Sequence, residues 1–144
     1  MKRTVHVISL LLAVLLLCGM LVSCAAKPLL DSAKVTEALA AAEYTLSFGS
    51  EDLIGSYREA GIDLDQKLMA VHSTRKDGSK EKIVQYVAIY YFPDVDTAKA
   101  AMERVVTEAA AEKTTEHPDW NEPVRYLNII YYGTAAAIDA ARGK

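Results

Sequence analysis

Two thiols, three imidazoles and the paired carboxylates of "DVD" are the residues whose types could give this chain a chemistry. Cys18 and Cys24 stand six residues apart at the end of an apolar run, in "CGMLVSC". Residues 25–144 hold no cysteine, so a disulfide framework is excluded. His6 lies in the apolar run, His72 in a segment that reads as a strand and His117 in a polar loop. His6 goes with the leader, and neither His72 nor His117 has an acid or a cysteine at metal-ligand spacing, so no metal site is expected. "DVD", Asp94 to Asp96, brings two carboxylates together at the start of a helical pattern. Capping and compensation of the helix dipole account for them better than metal or acid–base work. The seven glycines are scattered as turn and cap residues and form no phosphate loop. No serine has a nucleophile-elbow context. The expectation is a protein that is not an enzyme, with no catalytic residues and no cofactor.

The two thiols stand within the leader and just after it. "MKRTVHVISLLLAVLLLCGMLVSC" has a basic start at Lys2 and Arg3, an apolar stretch from Val5 to Val22, and small residues at Gly19 and Ser23. That is the order of a signal peptide. Some eighteen apolar residues at about 1.5 Å each also come near the ~30 Å hydrocarbon core, so length alone leaves an uncleaved membrane helix open. The end of the run separates the two. Leu21-Val22-Ser23-Cys24 resembles the lipobox of bacterial lipoproteins. The resemblance implies that the Cys24 thiol receives a diacylglyceryl group and that a signal peptidase cuts between Ser23 and Cys24. It further implies a protein held at the cell membrane by two acyl chains, a durable anchor, and facing away from the cytoplasm. Ala25, rather than an acid, follows the cysteine. In a cell with two membranes the resemblance therefore leans toward outer-membrane sorting. Cys18 lacks a small residue before it and reads as an apolar residue lost with the leader.

The elements that follow belong to one domain. The expected organisation is a signal peptide over 1–23, the lipidated cysteine and a short linker over 24–32, and a single domain over 33–144. The formal charge is −3, and because residues 1–23 hold Lys2 and Arg3 but no acid, the chain from Cys24 carries −5. Such a domain lacks the basic footprint of a nucleic-acid binder. Ser32 is expected to cap a helix with Val35 and Leu39 on its apolar stripe. "YTLSF", Tyr44 to Phe48, reads as a short strand, and Ser50 caps a second helix that Gly61-Ile62 stops. Residues 66–75 and 81–92 read as strands around an Asp77-Gly78 turn. A helix with Val95, Ala98, Met102, Val105 and Ala109 on one face follows Pro93-Asp94. "VRYLNIIYY", 124–132, reads as one last strand before a helix that Thr134 caps and Gly143 ends.

This order contains β-α-β-β-α-β and predicts an α+β fold of ferredoxin-like type with extra N- and C-terminal helices, one sheet face covered and the other bare. Without a strand at Tyr44–Phe48 the domain would be a smaller sandwich on three strands. "VAIYYFPDVDTAKAAM" and "NIIYYGTAAAIDAA" are similar to segments of small α+β lipoproteins of Gram-positive anaerobes, which implies an anchored domain and no particular activity.

Six of the eight tyrosines fall in two of the expected strands. Alternation along single strands puts Tyr86, Tyr90, Tyr126 and Tyr132 on the face with fewer aliphatic residues, the bare one. Tyrosine has an apolar body and a polar tip, which suits either a half-exposed amphipathic sheet or a contact surface. Trp120, between prolines, either pins its loop to the core or joins that surface. The functional expectation is a lipid-anchored module that binds a protein or envelope partner, or a second copy of itself as a homodimer through the open sheet face. The alternative is a lipid-anchored envelope enzyme with an unrecognised site.

Overall fold

A computed structural model describes residues 30–75, 78, 80–113 and 120–144. The leader, Ser23 and Cys24, Asp77 and His117 lie outside the described residues. Four helices and one five-stranded sheet make up the described part: α1 (Ser32–Ala41), β1 (Thr45–Phe48), α2 (Glu51–Glu59), β2 (Gln66–Arg75), β3 (Lys82–Tyr91), α3 (Val95–Glu112), β4 (Trp120–Tyr126), β5 (Ile129–Thr134) and α4 (Ala135–Ala141). The fold is α+β, as expected. The strands lie in the order β1-β2-β3-β5-β4, and every neighbouring pair is antiparallel.

Local chemistry sets the element ends. Asp31, rather than Ser32, caps α1, its carboxylate accepting from the Ala33 N–H at 2.9 Å. The Asp94 carboxylate accepts from the Thr97 N–H at 2.7 Å, which gives the first acid of "DVD" its structural task. That bond also holds the Asp94 carboxyl below its ordinary range. α2 ends on Gly61 at φ +74°, with Ile62 N–H donating to Tyr57 O and Gly61 N–H to Arg58 O. These two bonds close the helix and turn Ile62 back onto the core. The edges of the sheet are blunted. β1 has four residues, and β4 carries Pro123 and a register shift between Asn121 and Val124.

Two expectations about the sheet are corrected. The first concerns 124–132, which is a hairpin rather than one strand. Leu127 takes φ +53°, and Tyr126 pairs with Ile129 across the turn. Asn128 fixes the turn from outside: its Nδ2 donates to Phe92 O at 3.0 Å, and Phe92 N–H donates to its carbonyl at 3.0 Å. The second concerns the bare face. Helices cover both sides. On one side α1 and α4 bury Val35, Leu39, Leu68, Val87, Ile89, Ile129 and Ile138. On the other, α2 and α3 bury Tyr57, Tyr90, Ile130, Tyr132 and the alanines 98, 101 and 109. The chain order β-α-β-β-α-β runs from β1 to β4, but the layering is helix–sheet–helix, not the one-sided cover expected of a ferredoxin-like fold. Leu30, expected in the linker, already contacts the domain. Leu30 N–H donates to Asn128 Oδ1 at 2.9 Å, and its side chain packs on the first core, so the domain begins at or before Leu30.

Candidate functional site

The expected surface residues divide three ways. Tyr90 and Tyr132 are 0 % and 1 % exposed, beneath α3. Tyr126 is 47 % exposed but on the opposite face, because the hairpin pairs it with Ile129 of the first core. Only Tyr86 and Trp120 are at once half-buried and on the intended side. Counting alternation through the turn as if it were strand put Tyr126 on the wrong face.

Tyr86 and Trp120 form a unit. Their rings stack at 4.8 Å between centroids and 18° between planes. The buried Tyr132 ring stands edge-on to both, at 6.3 Å and 5.5 Å. Sheet register explains the meeting: Trp120 pairs with Thr134, whose hydroxyl accepts from the Tyr86 N–H at 3.3 Å. Beside Tyr86 on β2 lies Val71, and one row further out Val84 pairs with Ser73. Val71 and Val84 stay 36 % and 37 % exposed. A strip of Val84, Val71, Tyr86 and Trp120 thus crosses the sheet where the cover of α2 and α3 ends.

Under α3, next to the strip, lies a charged cluster that the sequence reading missed. Arg104, Glu108 and Glu112 recur at +4 along one side of α3, a spacing that brings side chains together and could have flagged them. Glu108 accepts from the Tyr57 hydroxyl at 2.8 Å, the Tyr90 hydroxyl at 3.3 Å and Arg104 Nε at 3.2 Å. Arg104 lies over the Tyr57 ring at 4.0 Å and donates to Ser56. Lys67 points inward from β2 with a side chain 7 % exposed, pairs with Glu112 at 3.3 Å and sits over the Tyr90 ring at 4.8 Å. No alternation rule announces an inward lysine. Its ammonium is tolerated because a carboxylate and an aromatic face meet it.

Burial, then the Glu108 carboxylate, pushes the Tyr57 hydroxyl far up. Burial, then the neighbouring Tyr57 and Glu108, does the same to Tyr90. Burial and Glu112 raise Tyr86, and Tyr132 is pushed up to about 12 by burial and the charges of Glu112 and Glu122. These hydroxyls stay protonated at neutral pH and act as hydrogen-bond donors rather than bases. The Glu108 carboxylate accepts from three donors at once. The arrangement is suited to holding α3 on the sheet and to presenting the strip.

His72 Nδ1 lies 3.0 Å from Glu43 O, and its ring packs on Tyr44. Among the described residues no group of His, Cys, Asp or Glu side chains is placed to hold a metal ion, and no helix is long and apolar enough to cross a membrane. No protein-family model, curated protein or solved structure matches this chain.

Proposed function

We propose that the protein is a bacterial lipoprotein, anchored outside the cytoplasm by a diacylglyceryl group on Cys24, whose α+β domain binds a partner and does not catalyse a reaction. The observation that carries the reading is "LVSC" at the end of a basic and apolar leader. The leader then acts as a signal helix that is removed, with cleavage after Ser23. The binding half of the reading is supported by the Val84–Val71–Tyr86–Trp120 strip. Aromatic residues beside exposed aliphatic ones at the border of a covered sheet offer area and a polar tip to a partner. The partner is a protein or another component of the cell envelope. A homodimer through a whole open sheet is no part of the proposal, since Tyr90 and Tyr132 are core residues.

The test is metabolic labelling with a clickable fatty acid in cells expressing the full chain. Wild type should take up label and migrate as a processed species. Cys24→Ser should take up none and retain residues 1–23. Absence of label from wild type, or equal label on Cys24→Ser, contradicts the anchor.

A further inference from the structure

Where the chain enters the fold, the surface carries a groove of about 400 Å³ that neither core fills. Its floor is apolar, formed by Val35 of α1, Tyr131 of β5 and Ala141 of α4. Three exposed cations also line it: Lys34 of α1, and Arg142 and Lys144 just after α4. The exposed Tyr126 lies beside them, its ring 5.3 Å from the Arg142 guanidinium. The one acidic side chain that lines the groove, Asp31, is engaged in capping α1. Three cations thus gather in one place on a domain whose net charge is negative.

The position of the groove matters as much as its charge. Leu30, six residues after Cys24, lines it. Six residues span at most about 20–22 Å. With an acylated Cys24 at the membrane surface, the groove cannot lie far from the headgroups. Exposed cations with an apolar floor, and a tyrosine beside them, fit an amphiphile whose anionic end is a phosphate, and tyrosine suits the interfacial region. We propose that this groove is the membrane-facing site of the domain and takes the anionic headgroup of a phospholipid from the membrane that holds the anchor. The phosphate meets Lys34, Arg142 and Lys144, and the glycerol and first methylenes lie against Tyr126 and the floor. This assignment rests on the lipid-anchor reading. Its consequence is that the domain is not a freely tumbling tether: it lies on the membrane with α1 and α4 toward the lipid.

The test uses the full chain as cells process it, reconstituted into vesicles of phosphatidylcholine alone or mixed with phosphatidylglycerol. Tyr126→Trp is the reporter, wild type with its own Trp120 is the background, and a headgroup spin-labelled lipid is the quencher. Quenching of the added tryptophan is expected in the phosphatidylglycerol vesicles and not in the neutral ones. Each cation near an anionic surface contributes roughly five-fold, so Lys34→Gln with Arg142→Gln and Lys144→Gln should weaken the association roughly 100-fold. High salt on the unsubstituted cations should weaken it too, independently of any effect of the triple variant on folding. Equal quenching in both vesicles, or none in either, overturns the proposal. So does a shift of Tyr126→Trp emission with inorganic phosphate but not with anionic vesicles, which would assign the groove to a soluble phosphate ester. Intact mass separates the two readings. A diacylglyceryl mass on Cys24 without lipid dependence sinks the groove and leaves the anchor. Lipid dependence without that mass sinks the anchor and leaves the groove.

Discussion

The two faces of the sheet are packed with similar side chains and differ in what becomes of the tyrosine tips. Under α1 and α4 the strands supply Tyr91 and Tyr131 beside Val87, Ile89 and Ile129, α4 supplies Ala137 and Ala141, and the Tyr91 hydroxyl is buried with no hydrogen-bond partner among the described residues. Under α2 and α3 the strands supply Tyr90 and Tyr132, and α3 supplies alanines above them. Small residues on the helix leave room for large rings on the sheet, as they do under α4. The ring tips then reach polar atoms of the helix: Tyr90 meets Glu108, and Tyr132 donates to Ala109 O at 3.1 Å. Tyrosine in a strand is therefore no sign of an open face where the covering helix is rich in alanine and carries carboxylates at its flank.

The largest test of this comparison is alkaline pH. Tyr57, Tyr86, Tyr90, Tyr91 and Tyr132 all hold their protons in the fold beyond the ordinary value of 10.0. Their folded pKa values lie above the unfolded one, so their contribution is complete below pH 10 and is lost as pH rises through the folded values. Each costs up to ~1.4 kcal/mol per pH unit over that window, so together they can exhaust a typical stability of ~5–15 kcal/mol. Denaturant melts should show a plateau below pH 10 and a steep fall above it. A flat profile would mean that the rings are wet.

Gly133 tests the central strand pairing that carries both cores. It takes φ +144°, and an added Cβ would lie 2.0 Å from Tyr86 O. Gly133→Ala should cost on the order of 4 kcal/mol, from strain and from separation of β3 and β5, as read by the urea midpoint. The smallest effect is the sharpest for the comparison. Tyr132→Phe should cost about 1 kcal/mol by losing a satisfied hydrogen bond, whereas Tyr91→Phe should be neutral or gain up to about 1 kcal/mol. Equal losses at both positions would erase the distinction between the faces.

Much of this was legible in the sequence where a rule is local. The α3 stripe, the long β3 and the short β1 all follow from spacing and residue type. So does the grouping of Tyr86 with Tyr90, because alternation holds within one strand. The hairpin at Leu127-Asn128 was not legible. It has no glycine, and the bonds from Phe92 and Leu30 that hold Asn128 join residues far apart in the chain. That one turn also misplaced Tyr126. The cover over Tyr90 and Tyr132 escaped notice because alanines read as a weak stripe until the rings beneath them are known. Lys67 escaped because its partner Glu112 lies 45 residues away.

The most direct measurement is tyrosine nitration of the native protein followed by peptide mass spectrometry. The account predicts that Tyr126 is modified first and that Tyr90 and Tyr132 stay unmodified until the fold is denatured. Nitration of Tyr90 or Tyr132 at a rate comparable to Tyr126 in the native state would contradict it, and would restore an open aromatic sheet face.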